Sequence, residues 1–143
     1  MSASAVYDAE RLWSAMLDRG GVVDFHGSHL QIPMQKRFAD VPSAQRYADG
    51  LLASDVVREA YPAAGPVRVR ERRGQTRAHY EPGTSTIAVP MGDRTYGRES
   101  VLLHETAHHL SASAGLSASA SGTRWHGAQF QDAMLFLVGV ALG

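Results

Sequence analysis

The feature that most constrains this chain is the hexapeptide His-Glu-Thr-Ala-His-His at residues 104–109. In an α-helix, residues four apart lie on one face, with Cβ atoms about 6 Å apart. His104 and His108 would therefore present two imidazoles to the same point, and Glu105 would lie one residue further around the helix. A chain of this composition contains the pattern H-E-x-x-H by chance in about 1–2% of cases. The hexapeptide predicts a helix with a two-histidine face.

This spacing is typical of a catalytic metal site. Two imidazoles on one helix face suit ligands about 2.0–2.1 Å from a zinc ion. A carboxylate beside the metal can take a proton from an activated water and later return it to a leaving group. The motif therefore indicates zinc (Zn2+) as the cofactor, His104 and His108 as ligands, and Glu105 as the general base.

A catalytic zinc ion usually has three protein ligands and one open position, and the sequence restricts the third ligand. No glutamate follows Glu105, and Ser111 and Ala114 occupy the positions where the metzincin form of the motif requires glycine and histidine. His109 points about 100° away from His108 around the helix, so we do not expect it to join the same site.

Two candidate ligands remain downstream, His126 and Asp132. His126 is the stronger candidate because histidine is a usual zinc ligand, and because Gly127 beside it permits close approach of the backbone. Asp132 falls in the middle of a predicted helix, where we expect a surface contact or a contact that supports another ligand. The residues alone leave both candidates open.

Composition predicts one ordinary globular domain over residues 1–143. The chain is 44% hydrophobic and 20% charged, with a formal net charge of zero and no cysteine. Zero net charge gives no general argument for nucleic acid, and the lack of cysteine excludes disulfides, thiolate zinc sites and cysteine nucleophiles. The N-terminus does not resemble a signal peptide, and the longest apolar run is too short to span a bilayer. We expect a cytoplasmic protein with no membrane partner.

Hydrophobic periodicity predicts an α+β fold. Apolar residues at helical spacing predict four helices, over 5–19, 42–61, 97–110 and 127–142. Residues 22–32 read as a hairpin, and residues 67–90 as two or three short antiparallel strands. The Ser/Ala/Gly-rich segment 111–125 is expected to be a loop. A helical stripe predicted to lie in the core consists of Phe130, Met134, Leu137 and Val138.

The hexapeptide and the later His-Gly-Ala-Gln-Phe at residues 126–130 together resemble the SprT-like zincin metallopeptidases, in which HExxH is followed by His-Gly-x-x-Trp/Phe. They are still more similar to an uncharacterised family of small HExxH-motif metallohydrolases. The resemblance covers residues 86–134. It implies a minimal zincin-like fold, with a small mixed sheet packed on an active-site helix and a ligand-bearing C-terminal helix after it. It also implies zinc ligands His104, His108 and His126, Glu105 as general base, and a peptide or protein substrate.

The resemblance also suggests a role for residues 85–90, the strand before the motif helix. In zincins this strand is a sheet edge with which an extended peptide substrate can pair. The alternative is an ordinary edge strand that ends at Pro90. Tyr80 and Tyr96 are candidate hydrogen-bond donors to a reaction oxyanion.

Two other functions stay open. In a non-enzymatic binding module, zinc would tie the two C-terminal helices together, but Glu105 between two ligands would then have no use. In a DNA-associated SprT-like peptidase, the arginines of a predicted Arg68–Arg77 hairpin would bind phosphates. Zero net charge favours a solvated face for these arginines instead. The sequence also departs from typical SprT-like proteins in having no cysteines for the zinc ribbon that often follows.

Overall fold

The computed structural model describes residues 8, 12, 21–25, 28–32, 36–74, 77–91, 97–114 and 127–142. Backbone contacts divide the chain into two units, Met1–Lys36 and Arg37–Gly143, which are described separately. A single domain over 1–143 stays a prediction. The α+β class is confirmed, because the described residues form four helices and a small three-stranded mixed sheet. Within the described ranges, none of the helices has the length and apolar character needed to cross a membrane.

The first unit contains the predicted hairpin. Strands β1 (Gly21–Phe25) and β2 (Ser28–Ile32) are antiparallel, and Val23 lies opposite Leu30. Of the helix predicted over 5–19, the structure describes Asp8 and Leu12, which both have helical backbone. The other residues of that predicted helix lie outside the described ranges.

The second unit contains, in chain order, α1 (Val41–Ala53), α2 (Asp55–Ala60), β3 (Arg68–Glu71), β4 (His79–Glu81), β5 (Thr86–Val89), α3 (Glu99–Ala114) and α4 (Ala128–Leu142). Helix α1 begins with Pro42 in its first turn, as predicted, and with a capping box in which the Asp40 carboxylate accepts from the Ser43 backbone N at 2.9 Å. The helix predicted over 42–61 is interrupted at Ser54, whose extended backbone separates α1 from α2.

The three-stranded sheet has the order β3–β5–β4. Strand β5 lies in the middle, parallel to β3 and antiparallel to β4, so that Val69, Ile87 and Tyr80 form one row. The prediction of antiparallel strands was therefore wrong for β3 and β5. The predicted Arg68–Arg77 hairpin was also wrong, because β3 and β4 lie on opposite sides of β5. Alternating residues indicate which face of a strand is buried, but they do not identify its neighbour.

The prediction that residues 85–90 form a sheet edge was wrong as well. All four residues of β5 are buried, and a strand pairs with each of its sides. The short run Thr-Ile-Ala-Val is apolar enough to be covered on both faces, which is typical of a central strand.

The outer edge of β3 is occupied by a side chain from α1. The amide nitrogen of Gln45 donates to the Val67 carbonyl at 2.8 Å, and its amide oxygen accepts from the Val69 backbone N at 2.7 Å. A neighbouring strand would satisfy these two backbone groups in a similar way. The Gln45 side chain therefore takes the place of a strand and protects this edge from further pairing.

Helix α3 is buried between the other elements of its unit. It contacts the sheet and α1 on one side, where Leu102 joins a core with Ala48, Ile87 and Tyr80, and it contacts α4 on another side. Buried polar residues on α3 are Glu99, Ser100, His104, Glu105, Thr106, His108 and His109. So many buried polar side chains on one helix are unusual, because such groups require partners in the interior.

The two C-terminal helices agree with the predicted positions to within two residues, except at the C-terminal end of α3, and residues 115–125 of the predicted loop lie outside the described ranges. Helix α3 ends at Ala114 and not at Leu110, so the first four residues of the predicted loop 111–125 are helical. The Ser113 hydroxyl donates to the Leu110 carbonyl at 2.7 Å, a side-chain hydrogen bond back to the preceding turn of the helix. In α4 the predicted stripe is buried at Phe130, Met134 and Leu137 and half-buried at Val138.

Candidate metal centre

His104, Glu105 and His108 lie together on α3. Their potential ligand atoms are all within 4.8 Å of one another. The imidazole centroids of the two histidines are 5.0 Å apart, and Nε2 of His104 lies 4.0 Å from Oε1 of Glu105. The predicted helix is confirmed for this motif, and the helix brings both imidazoles to one face with the carboxylate beside them.

All three side chains are removed from water. The exposed fraction of the whole residue is 8% for His104, 7% for Glu105 and 2% for His108. An ionised carboxylate in the protein interior is costly unless a cation or hydrogen-bond donors compensate it. Two imidazoles on one helix face supply two of the ligands that zinc accepts, and the Glu105 carboxylate lies beside them, where a base is needed. The residues present therefore fit a zinc ion.

The first turn of α4 covers this cluster through Phe130. The Phe130 ring stacks on His108, with centroids 4.3 Å apart and an interplanar angle of 22°, and its centroid lies 4.8 Å from that of His104. Phe130 is itself 1% exposed. The sequence predicted a core residue here but not the contact with both histidines, and the only available signal was its place in the His-Gly-Ala-Gln-Phe segment.

The predicted third ligand, His126, lies outside the described residues and stays a prediction. The next residue, Gly127, accepts a hydrogen bond from the Gln131 backbone N at 3.0 Å. This bond makes Gly127 the N-cap of α4.

The alternative third ligand, Asp132, lies away from the cluster. Its side chain is exposed, and it is two residues from Phe130, about 200° around α4. It lies close to Tyr61 instead, since burial and the Asp132 charge together raise the pKa of the Tyr61 hydroxyl. Asp132 is therefore a surface residue, and its expected role as a surface or supporting contact stays a prediction.

His109 has partners on other elements, as its direction on the helix predicts. Its Nδ1 lies 2.8 Å from the Tyr80 hydroxyl, and its Nε2 lies 2.7 Å from the carbonyl oxygen of Gly65. A carbonyl can only accept, so Nε2 donates to Gly65, and in the neutral ring Nδ1 accepts from Tyr80. His109 is buried, with 4% of its surface exposed.

Tyr80 is therefore not placed as an oxyanion donor. Its single hydroxyl proton is directed to His109, and the side chain is buried in the core. Burial raises the pKa of Tyr80, and a hydrogen bond with Ser85 partly opposes that effect. The other candidate, Tyr96, lies outside the described residues.

The predicted basic patch is partly balanced by acid. Arg70 donates through Nε and Nη2 to the two carboxylate oxygens of Glu81, both at 3.0 Å, and His79 Nε2 lies 3.2 Å from the same carboxylate. The Arg70 guanidinium, with a smaller effect from His79, holds the pKa of Glu81 at about 2. Arg72 donates to the Arg77 carbonyl. These contacts account for Arg70 and Arg72, and phosphate binding by the other arginines of this segment stays a prediction.

A second buried carboxylate on α3, Glu99, was missed by the sequence analysis. It lies in the first turn of the helix, is 2% exposed, and accepts a short hydrogen bond from the Tyr47 hydroxyl. Burial and this hydrogen bond raise the pKa of Tyr47. The helix N-terminus favours a negative charge at this position, so an acidic residue in the first turn was the available signal.

Comparisons with protein-family models, with curated proteins and with solved structures found no match for this chain. The likeness to SprT-like zincins therefore depends on the HExxH hexapeptide and the His-Gly-Ala-Gln-Phe segment alone. The geometry of α3 and its neighbours is therefore the basis for the function proposed below.

Proposed function

We propose that this protein is a zinc-dependent hydrolase, a metallopeptidase of minimal zincin type. His104, His108 and His126 are the metal ligands, and Glu105 is the general base. The observation that carries the proposal is the buried cluster on α3, where two imidazoles and a carboxylate have their potential ligand atoms within 4.8 Å. A purely structural zinc site would use the histidines but would give Glu105 no task.

Glu105 carries the proton in the proposed reaction. Zinc bound by the histidines would supply Lewis acidity, which lowers the pKa of a water molecule and polarises a carbonyl group. Glu105 accepts the proton of the attacking water and delivers it to the leaving amine when the amide bond breaks. The burial of this carboxylate beside His104 strengthens its electrostatic interactions, because the interior has a lower effective dielectric constant than water.

The position of α4 supports His126 as the third ligand. Helix α4 begins at Ala128, two residues after His126. Phe130 in its first turn packs on both His104 and His108. The described residues that follow His126 therefore pack against the cluster. A third ligand at residue 126 requires this closeness, because it has to reach the same metal ion as His104 and His108.

The arrangement of the sheet indicates where an extended peptide would pair. Strand β5 has a neighbour on each side, and Gln45 occupies the outer edge of β3. Among the strands of this sheet that the structure describes, β4 is left as the edge for an added strand. Because β4 also contacts α3, a peptide on this edge would lie near the helix that carries Glu105.

Hydrolysis of a denatured protein substrate by zinc-loaded protein tests the proposal. We expect Glu105→Gln to keep zinc and to lose about 10²–10⁴-fold in rate, because the general base is removed. Glu59→Gln, at an exposed position on α2, is the matched control and should keep its activity. Full activity in Glu105→Gln would contradict the mechanism. Zinc binding without hydrolysis in the wild type, across a broad peptide set, would favour the structural-zinc alternative.

A further inference from the structure

The apolar stripe of helix α3 does not by itself set the rotation of the helix about its own axis. Leu102, Leu103, Ala107 and Leu110 form a stripe about 140° wide, but the polar residues outside this stripe are buried as well. Nine consecutive residues, 102–110, are buried, and these cover about two and a half turns. In an amphipathic helix the apolar stripe decides which side faces the core. Hydrophobic contact is non-directional, so a helix buried all around needs directional contacts to fix one rotation.

His109 provides two such directional contacts, each to a different element. Its Nδ1 lies 2.8 Å from the hydroxyl of Tyr80 on β4, and its Nε2 donates at 2.7 Å to the carbonyl of Gly65, in the segment between α2 and β3. The Tyr80 and His109 rings also meet edge-on, with centroids 5.5 Å apart. Both ring nitrogens are engaged, and both partners belong to the framework outside α3.

We propose that His109 is a positioning residue, whose hydrogen bonds to Tyr80 and Gly65 fix the rotation of α3 that presents His104 and His108 to the metal. This inference rests on the proposed function, because it gives the third histidine of the hexapeptide a task in the same site. His109 is about 100° around the helix from His108 and about 140° from His104. With His109 held by β4 and the Gly65 segment, the other two histidines face Phe130 on α4.

The test measures metal affinity and does not depend on activity. Tyr80→Phe removes the hydroxyl that donates to His109 and keeps the aromatic ring. Ile87→Val is the matched control, since Ile87 pairs with Tyr80 in the sheet, is fully buried and makes no polar contact through its side chain. Zinc dissociation constants come from competition with a chromophoric chelator. We expect about tenfold weaker zinc binding in Tyr80→Phe, an altered visible spectrum of its Co2+ form, and wild-type values for Ile87→Val.

Equal zinc affinity in the wild type and in Tyr80→Phe would overturn the proposal. An equal loss in Tyr80→Phe and Ile87→Val would also overturn it, because general destabilisation would then explain the effect. If Tyr80→Phe does not fold, His109→Gln replaces it, since the Gln amide nitrogen can donate to the Gly65 carbonyl from the place of Nε2, and no polar atom takes the place of Nδ1, which accepts from Tyr80. The same weakening is expected there.

A wild-type protein that binds no zinc would contradict the proposed function and leave the positioning claim to be decided separately. In that case the imidazole NMR signals of His104 and His108 are compared in metal-free protein. They shift in Tyr80→Phe and not in Ile87→Val if His109 orients α3. Unchanged signals in both variants would overturn the positioning role.

Discussion

Two clusters of histidine and glutamate in this protein have opposite surroundings. On β4, the side chains of His79 and Glu81 are 36% and 34% exposed, and Arg70 binds both oxygens of the Glu81 carboxylate. On α3, the side chains of His104 and Glu105 are only 10% and 9% exposed. The same two residue types therefore occur once half-buried beside an arginine, here called the exposed cluster, and once in the interior, here called the buried cluster.

The difference shows that residue type alone does not indicate a metal site. At the exposed cluster, water and Arg70 accommodate the carboxylate of Glu81, and such a surface pair contributes little to stability. At the buried cluster, a second imidazole from His108 completes a group whose potential ligand atoms lie within 4.8 Å. Burial and helical spacing together are the grounds on which we propose a zinc centre at the buried cluster.

The largest expected effect comes from removing the Phe130 ring, which covers the buried cluster. Phe130→Ala should lower the free energy of unfolding by about 3–5 kcal/mol, because a fully buried ring is lost and a cavity remains. Phe136→Ala is the control on the same helix, where the ring is half-buried against Tyr61. Urea unfolding measures both. A loss in Phe130→Ala no greater than in Phe136→Ala would show that Phe130 does not cover the cluster as described.

The next largest effect is the gain in stability from zinc binding, which we compare in variants of the two clusters. Free zinc at a hundred times its dissociation constant should raise the free energy of unfolding of the wild type by about 2.7 kcal/mol. We expect His108→Ala to lose this increment and His79→Ala to keep it. Denaturation in zinc buffer and in chelator measures the difference. An increment that survives in His108→Ala would contradict the placement of the site on α3.

A smaller effect is expected at Glu99, a buried carboxylate that accepts a hydrogen bond from the Tyr47 hydroxyl. Tyr47→Phe should cost about 1–3 kcal/mol of unfolding free energy, because it removes a hydrogen-bond donor from a buried acceptor. Zinc affinity should stay at the wild-type value, which separates this carboxylate from Glu105. Tyr61→Phe, at a half-buried ring, is the matched control and should cost less in the same urea experiment.

The smallest effect is expected at the exposed cluster and depends on pH. The pKa of Glu81 is lowered from 4.5 to about 2 by Arg70 and His79, so the folded state binds this proton less readily than the unfolded state does. The ionised Glu81 carboxylate therefore stabilises the folded state above pH 4.5, and this stabilisation is lost as the pH falls through about 2. Glu81→Gln should show a shallower loss of stability in acid, and salt should reduce the difference. An acid dependence identical to that of the wild type would contradict this pairing.

The sequence predicted the parts of the fold that depend on local periodicity. Pro42 marked the start of α1, and the apolar spacing located α3 and α4 within a few residues. It did not predict the order β3–β5–β4, since the alternation of residues along a strand specifies its faces and not its partners. The break at Ser54 was also missed, because the residues on either side continue the helical spacing.

The same distinction applies to the candidate site. His104, Glu105 and His108 could be predicted together because residues four apart on a helix are neighbours. The contact of Tyr80 with His109 joins residues 29 positions apart in the chain, and that of Tyr47 with Glu99 joins residues 52 positions apart. Only tertiary packing brings such pairs together, so no local pattern could predict them.

Elemental mass spectrometry of the purified, zinc-reconstituted protein tests the central claim most directly. We expect about one zinc per chain in the wild type, lost in His104→Ala and in His126→Ala, and retained in Asp132→Ala and His79→Ala. This result would establish a three-histidine site on α3 and the start of the following segment. A wild-type protein without zinc, or a His104→Ala variant that retains it, would contradict the metal centre proposed for α3.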